Sequence, residues 1–355
     1  MNKAVFLTSL NNSTQRGGAY LRVFAVCEVL RKLGFSLELL YQDQISARGT
    51  LSKWLAAIKY GKEIKPLFTY ASLEVNECDF LILDNFRYLH WNYSFSSSKR
   101  KPKIIYNAHN LEFENHYGKN DGPKRRKFSL YEANQLNLCD YILVCSEREK
   151  NLLIELNGKL VGKIFVLPNL IDKNNYSSDT NKQWITFLGT LDYFPNREAV
   201  DFLLSTFLDE LTSSLKDKLV IAGRNPTSEM RELCKSKGVK LLTNLEDREV
   251  KDLLAQTKIS LVPLKSGSGT RLKIVESLFS KAIVVSTPMG AEGIDEKGLI
   301  ISELSNFAKE CEKAFLDKDF ADICPSVDFD NYQVLFDIGK WYDLNESKLR
   351  SFLHI

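Results

Sequence analysis

Short apolar runs alternate with stretches of helical periodicity along almost the whole chain. Ala4-Val5-Phe6-Leu7-Thr8 is the first run. Tyr20 to Leu33 follows with apolar positions at Leu21, Phe24, Ala25, Val29 and Leu30, closed by Gly34. Ser36–Tyr41, Phe80–Asp84, Lys103–Asn107, Tyr141–Cys145 and Ile164–Asn169 read as further strands, and Lys127–Asn137 as a helix. Ser146 with Glu149 gives a capping-box pattern ahead of a helix over Lys150–Leu156. Strands and helices in alternation predict a parallel sheet covered on both faces.

The polar segment Asp172–Lys182 has no periodicity and reads as a linker, after which a second series begins. Its predicted strands are Trp184–Gly189, Leu219–Gly223, Val239–Leu242, Ile259–Val262, Ala282–Thr287 and Gly298–Ile301. Its predicted helices are Asn196–Leu211, Glu229–Ser236, Asp247–Gln256 and Leu304–Leu316, followed by a C-terminal region rich in aromatics. The expected architecture is α/β, with two Rossmann-like parallel-sheet domains, 1–172 and 183–330, facing a cleft. Residues 331–355 are expected to form an aromatic, helical segment packing back towards the first domain.

The most specific chemistry lies between Pro263 and Ile294. A strand runs into the small-residue loop Ser266-Gly267-Ser268-Gly269-Thr270, which opens onto a helix carrying Arg271, Lys273 and Glu276. Ligands of open parallel sheets sit beyond the carboxyl ends of the strands, where loops meet helix N-termini. Unhindered backbone N–H groups, a helix dipole and two cations suit a diphosphate there. Cations in the first turn oppose the dipole, by about 0.3–1 kcal/mol each in exposed sites, a cost that ordinary packing does not explain.

Composition narrows the classes. A chain of 355 residues with 44% hydrophobic and 26% charged positions fits a two-domain globular protein. A net charge of +3 gives no case for nucleic acid as a partner. Two basic clusters, Lys99–Lys103 and Lys124–Lys127, suit an anionic membrane surface, a phosphate-bearing acceptor or plain solvent. Seven scattered cysteines without CxxC spacing read as reduced, which points to the cytoplasm. The N-terminus reads as a first strand rather than a signal peptide, and no apolar run approaches the ~20 residues of a membrane span. Any contact with the inner face of the membrane is therefore expected to be peripheral.

In this order the motifs resemble the GT-B glycosyltransferases, specifically the retaining family-4 type, also described as glycosyl transferases group 1. Gln15-Arg16-Gly17-Gly18-Ala19 looks like the glycine-rich loop after the first strand, and Asn107-Ala108-His109-Asn110 like the strand-end histidine motif. Val144-Cys145-Ser146-Glu147, Pro168-Asn169, Phe187-Leu188-Gly189-Thr190-Leu191 and Ile221-Ala222-Gly223 resemble further signatures. Gly269 to Glu276 is similar to the family's Glu-x7-Glu region in its Gly-Thr-Arg-Leu-Lys variant, with Ser268 where the first glutamate usually stands. The usual Arg/Lys pair after the first C-terminal strand is reduced to Arg197.

The resemblance implies transfer of a sugar from a nucleotide-diphosphate sugar to a glycan or lipid-linked acceptor in cell-surface polysaccharide synthesis. His109, Arg271 and Lys273 are the implied catalytic residues, the two cations supplying the charge missing from the first C-terminal loop. Gly17, Gly18, Gly189, Arg197, Arg224, Leu245, Ser268, Gly269, Thr270 and Glu276 are the implied donor-binding set, Glu276 on the ribose and Leu245 near the base. No cofactor is expected, and no metal, since the histidines lack ligand spacing and the DxD motif is absent. A silent binding or scaffold subunit of the same fold and a nucleotide-sugar isomerase are the alternatives. A nicotinamide enzyme is discounted because the first loop lacks GxGxxG spacing.

Overall fold

A computed structural model describes residues 2–11, 17–44, 59, 67, 72–95, 101–117, 122–267, 271–292, 294, 296–316 and 329–355. The chain divides into two compact units. The first comprises Met1–Thr14, Gly18–Leu170 and Trp341–Ile355, and the second contains Ile171–Lys340.

The first unit carries β1 (Lys3–Leu7), α1 (Gly18–Lys32), β2 (Ser36–Leu40), β3 (Ser72–Val75), β4 (Phe80–Leu83), β5 (Asn92–Phe95) and β6 (Lys103–Asn107). It continues with α2 (Glu112–Tyr117), α3 (Pro123–Leu136), β7 (Tyr141–Val144), α4 (Glu147–Leu156) and β8 (Ile164–Val166). Six strands form one parallel sheet in the order β2-β1-β4-β6-β7-β8, and β3 and β5 pair separately. Every residue of β4 and β7 is buried, as expected for strands covered on both faces.

Several local expectations needed adjustment. The helix expected from Lys127 starts at Pro123, whose ring suits the first helical position, so Lys124–Lys127 form a first turn rather than a loop. The capping box at Ser146 is half-formed. The Ser146 hydroxyl accepts from Glu149 N at 3.2 Å, while the Glu149 carboxylate turns to Cys145 N at 2.8 Å. Strands β3 and β5 and helix α2 were not anticipated; each is too short to show a periodicity.

The second unit carries β9 (Trp184–Thr190), α5 (Phe194–Phe202), β10 (Leu219–Arg224), α6 (Ser228–Ser236), β11 (Lys240–Thr243), α7 (Asp247–Ala255) and β12 (Thr257–Val262). It continues with α8 (Leu272–Phe279), β13 (Ile283–Ser286), β14 (Ile300–Ile301), α9 (Phe307–Leu316) and α10 (Phe329–Phe336), and α11 (Ile338–Leu353) ends the chain. The parallel sheet runs β11-β10-β9-β12-β13-β14. The predicted helix Asn196–Leu211 is interrupted by a π turn at Leu203–Phe207, which buries Phe207 against Phe307 with ring centroids 6.1 Å apart.

The segment expected to be a linker is tied to the second unit. The Lys182 ammonium donates to the carbonyls of Ala255, Thr257 and Ser280 at 3.2, 3.0 and 2.6 Å. Residues of α11 pack on the first unit: the Tyr342 hydroxyl donates to Lys32 O at 2.9 Å, and Trp341 lies edge-on to Phe165.

Candidate active site

In the second unit the carboxyl ends of β9, β10, β12 and β13 are crowded with residues whose size is dictated by backbone approach. Gly189 and Gly223 are partners across β9 and β10. A Cβ on Gly223 would overlap the Gly189 carbonyl oxygen, and one on Gly189 would stand 2.8 Å from the Asn196 amide nitrogen. Only glycine lets the strand ends come this close to α5. Beyond β12, Gly267 takes a φ of +113°, with Pro195 and the Arg271 guanidinium each 3.3 Å from where a Cβ would be. Ser266 donates to Glu198 of α5 at 2.9 Å. The loop is thus folded back onto α5 just before the three residues Ser268, Gly269 and Thr270, which lie outside the described set.

Helix α8 brings the two expected cations to one end of the sheet. Arg271 is the residue just before the helix and is 7% exposed, so it is not a solvated helix start. One of its terminal nitrogens donates to Met289 O at 3.5 Å, and burial pushes its pKa down. Lys273 is half-buried in the first turn, its ammonium 3.1 Å from Asn196 Oδ1 and 4.7 Å from the centroid of the Phe187 ring. Burial, then the neighbouring Arg271, pushes Lys273 down to about 7, with Glu276 pulling the other way. One turn further, Glu276 is buried and accepts from the Tyr176 hydroxyl at 2.7 Å. Ser277 fixes the helix to the sheet through Ser260 Oγ at 2.8 Å.

A buried and a half-buried cation with a buried carboxylate one turn beyond them are costly to assemble without a ligand that uses them. The remaining candidates of this unit scatter around the same sheet end. Arg224 closes β10, and its carbonyl accepts from Leu191 N at 2.8 Å. Leu245 follows β11 and the positive-φ residue Asn244, and packs on Val220, Ala222 and Leu253. Arg197 lines a cavity of about 210 Å³ with Phe194, Glu198, Asp201, Thr227 and Met230.

The first unit gathers polar groups at the carboxyl ends of β1, β4, β6 and β7. His109 follows β6, and its Nε2 lies 3.4 Å from Oδ2 of the buried Asp84, which ends β4. Asp84 is held in turn by the Thr8 hydroxyl and Ser9 N, each at 2.8 Å. Arg22 of α1 is 1% exposed. Its guanidinium donates to Asn107 Oδ1 at 3.0 Å, to Pro168 O at 3.1 Å and to Leu167 O, tying α1 to the ends of β6 and β8. Gly17 precedes α1 and Gly18 opens it. The Cys145 thiol donates towards Ala108 O and is pushed up to about 12 by burial, so it stays protonated and is no nucleophile. Among the described residues no group of histidines, cysteines and carboxylates is placed to hold a metal ion.

Sequence reasoning missed Asp84, Asn196 and Tyr176. Asp84 is the last residue of an expected strand and Asn196 the first of an expected helix, the one local signal available.

Two family models match the chain, Glycosyltransferase Family 4 over residues 16–175 and Glycosyl transferases group 1 over residues 182–317. It belongs to the GT-B glycosyltransferases. Solved structures with the same fold include HepE from Anabaena in complex with UDP and glucose, at 14% identity and a TM-score of 0.65, covering 99% of this chain and 100% of that one. Sucrose-phosphate synthase from Thermosynechococcus elongatus aligns at 12% identity and a TM-score of 0.67, covering 100% of this chain and 99% of that one. TarM of S. aureus, in complex with Fondaparinux, alpha-GlcNAc-glycerol and UDP, aligns at 15% identity and a TM-score of 0.55 over 75% of this chain and 55% of that one. No curated protein matches this glycosyltransferase in sequence.

Proposed function

We propose that the chain transfers a hexose or deoxyhexose from a nucleotide-diphosphate sugar to a glycan or lipid-linked acceptor, with retention at the anomeric carbon, in cell-surface polysaccharide synthesis. The observation that carries this reading is the pairing of Arg271 with Lys273 at the carboxyl end of β12. The leaving diphosphate gains charge in the transition state, and preorganised donors aimed at it are worth about 3–4 kcal/mol for each well-placed one. Arg271 and Lys273 take that charge in place of a metal ion, assisted by backbone N–H groups of the loop before α8. Glu276, one turn on, accepts hydrogen bonds from the ribose hydroxyls, and Leu245 flanks the base. His109, beside Asp84, is assigned to the transferred sugar, with front-face attack by the acceptor hydroxyl and no enzymic nucleophile. The UDP, glucose and GlcNAc-glycerol ligands named for HepE and TarM support a nucleotide sugar and a glycan-type acceptor here.

A peripheral membrane contact belongs to the same reading. Lys124, Arg126 and Lys127 are exposed on the first turn of α3, and Leu130 and Leu138 are 49% and 66% exposed further along and just past the same helix. Arg125 does not contribute, because it lies over the Phe113 ring beside Glu114. Of the other cluster, Lys103 is engaged with Tyr141 Oη at 2.9 Å, and Lys99 lies outside the described residues. No described helix is long and apolar enough to cross a membrane.

The test is thermal-shift screening against UDP, GDP, ADP, CMP and dTDP with their sugars, in EDTA. A ligand at a hundred times its dissociation constant stabilises the fold by about 2.7 kcal/mol. One nucleotide standing out names the donor class; no response from any of them removes the donor site.

A further inference from the structure

Asn196 occupies a position that no candidate set assigned, and its geometry is unusually determined. Its side-chain NH2 donates to Thr190 O at 2.9 Å, and its backbone N donates to Tyr193 O at 2.9 Å. The side chain is packed so tightly against β9 that only glycine fits opposite it, at Gly189. With the NH2 committed to Thr190, the amide oxygen is left facing α8, where it receives the Lys273 ammonium at 3.1 Å. The orientation of the amide is therefore fixed by two partners of opposite kind, and the residue is 7% exposed.

The same ammonium also lies over the face of the Phe187 ring. None of the ion pairs among the described residues engages Lys273. A neutral amide and a ring face hold a cation in place without cancelling its charge, which a carboxylate at the same distance would do. The arrangement suits a lysine kept for an incoming anion rather than for structure.

We propose that Asn196 is a positioning residue of the nucleotide site, aiming the Lys273 ammonium at the diphosphate through a neutral contact that adds no opposing charge. The inference rests on the donor-site reading above. It acts through Lys273 alone, so its contribution depends on Lys273 being present. It concerns the phosphate end of the ligand, so a nucleoside without phosphates is indifferent to it.

The experiment is a double-substitution cycle read by calorimetric titration with UDP and with uridine, using the full chain. Asn196→Ala weakens UDP binding roughly tenfold, the scale of one lost hydrogen bond to a charged group. In a Lys273→Ala background the same substitution changes UDP affinity less than about twofold, because the two effects are not independent. Asn196→Asp, close in size to the native residue, weakens UDP as well by placing a carboxylate against the ammonium, while uridine affinity stays the same in every variant. Equal losses from Asn196→Ala with and without Lys273, or unchanged UDP affinity in Asn196→Asp, overturn the proposal and leave Asn196 a packing residue. Absence of nucleotide binding in the unsubstituted protein is a separate outcome, which removes the donor-site reading and this inference with it.

Discussion

The Tyr176 hydroxyl donates to Glu276 Oε1 at 2.7 Å, joining two residues 100 positions apart in the sequence. The bond spans from the polar segment after Ile171 to helix α8 and sets the carboxylate assigned to the ribose. Tyr176 also packs edge-on against Phe279 of α8, with ring centroids 6.3 Å apart, so Tyr176→Phe keeps that packing and removes the hydrogen bond to Glu276. Its expected effect is a roughly threefold to tenfold loss of UDP affinity, the scale of one hydrogen bond, with little change in melting temperature. Calorimetric titration checks it, and unchanged affinity argues against a ribose role for Glu276.

A second prediction concerns His109. Asp84 accepts from Thr8 and Ser9, and its carboxylate lies 3.4 Å from the His109 imidazole, where it can act on the ring electrostatically. Asp84→Asn is expected to lower kcat by about 10²-fold or more while nucleotide affinity stays near its original value. His109→Ala is expected to do the same without the loss of stability that the Asp84 change brings. Steady-state kinetics with calorimetric titration separate the two quantities, and a rise in Kd equal to the loss of kcat would contradict the assignment.

Lys273 makes donor binding depend on pH. Burial pushes it down to about 7, whereas an anion beside it favours the protonated form and raises its pKa in the complex. Above pH 7 binding must therefore take up a proton, and the apparent Kd rises with pH, by up to about tenfold per unit. Lys273→Arg stays charged throughout and is expected to flatten the profile between pH 7 and 9. Titrations in buffers of different ionisation enthalpy count the proton directly; a profile equally steep in Lys273→Arg would assign the dependence elsewhere.

A stability prediction comes from the first unit. The Glu132 carboxyl is wholly buried, accepts from Glu112 N and Phe113 N at 2.8 and 2.9 Å, and is pushed up to about 8 by burial and then by Glu112. The folded state holds this proton where the unfolded chain has lost it. The contribution is thus complete below the unfolded value and is lost as pH rises through about 8. Urea midpoints are expected to fall from pH 5 to pH 8.5, with a slope of at most about 1.4 kcal/mol per pH unit from this group. Glu132→Gln should reduce that slope.

Much of this was legible in the chain. Buried parallel strands wrote themselves as apolar runs, and the loop ahead of Arg271 announced itself through small residues and cations at a helix start. What was hidden depends on pairs without local signature. Arg22 reads as a surface position of an amphipathic helix, yet it is buried and bound to Asn107 and the end of β8. Asn196 reads as an ordinary helix start and Tyr176 as part of a polar linker, because their partners come from α8. The π turn at Leu203–Phe207 was equally silent, since it arises from packing against Phe307 rather than from a breaker residue.

The central claim is that Arg271 and Lys273 bind the diphosphate. Calorimetric titration of the selected nucleotide, in EDTA, into the unsubstituted protein and into Arg271→Ala tests it directly, with Arg271→Lys as a control for folding. The account predicts metal-independent binding that weakens by tenfold or more in Arg271→Ala, recovers partly in Arg271→Lys, and is accompanied by a roughly 10²–10³-fold loss of turnover. Affinity and turnover unchanged in a folded Arg271→Ala protein would contradict it.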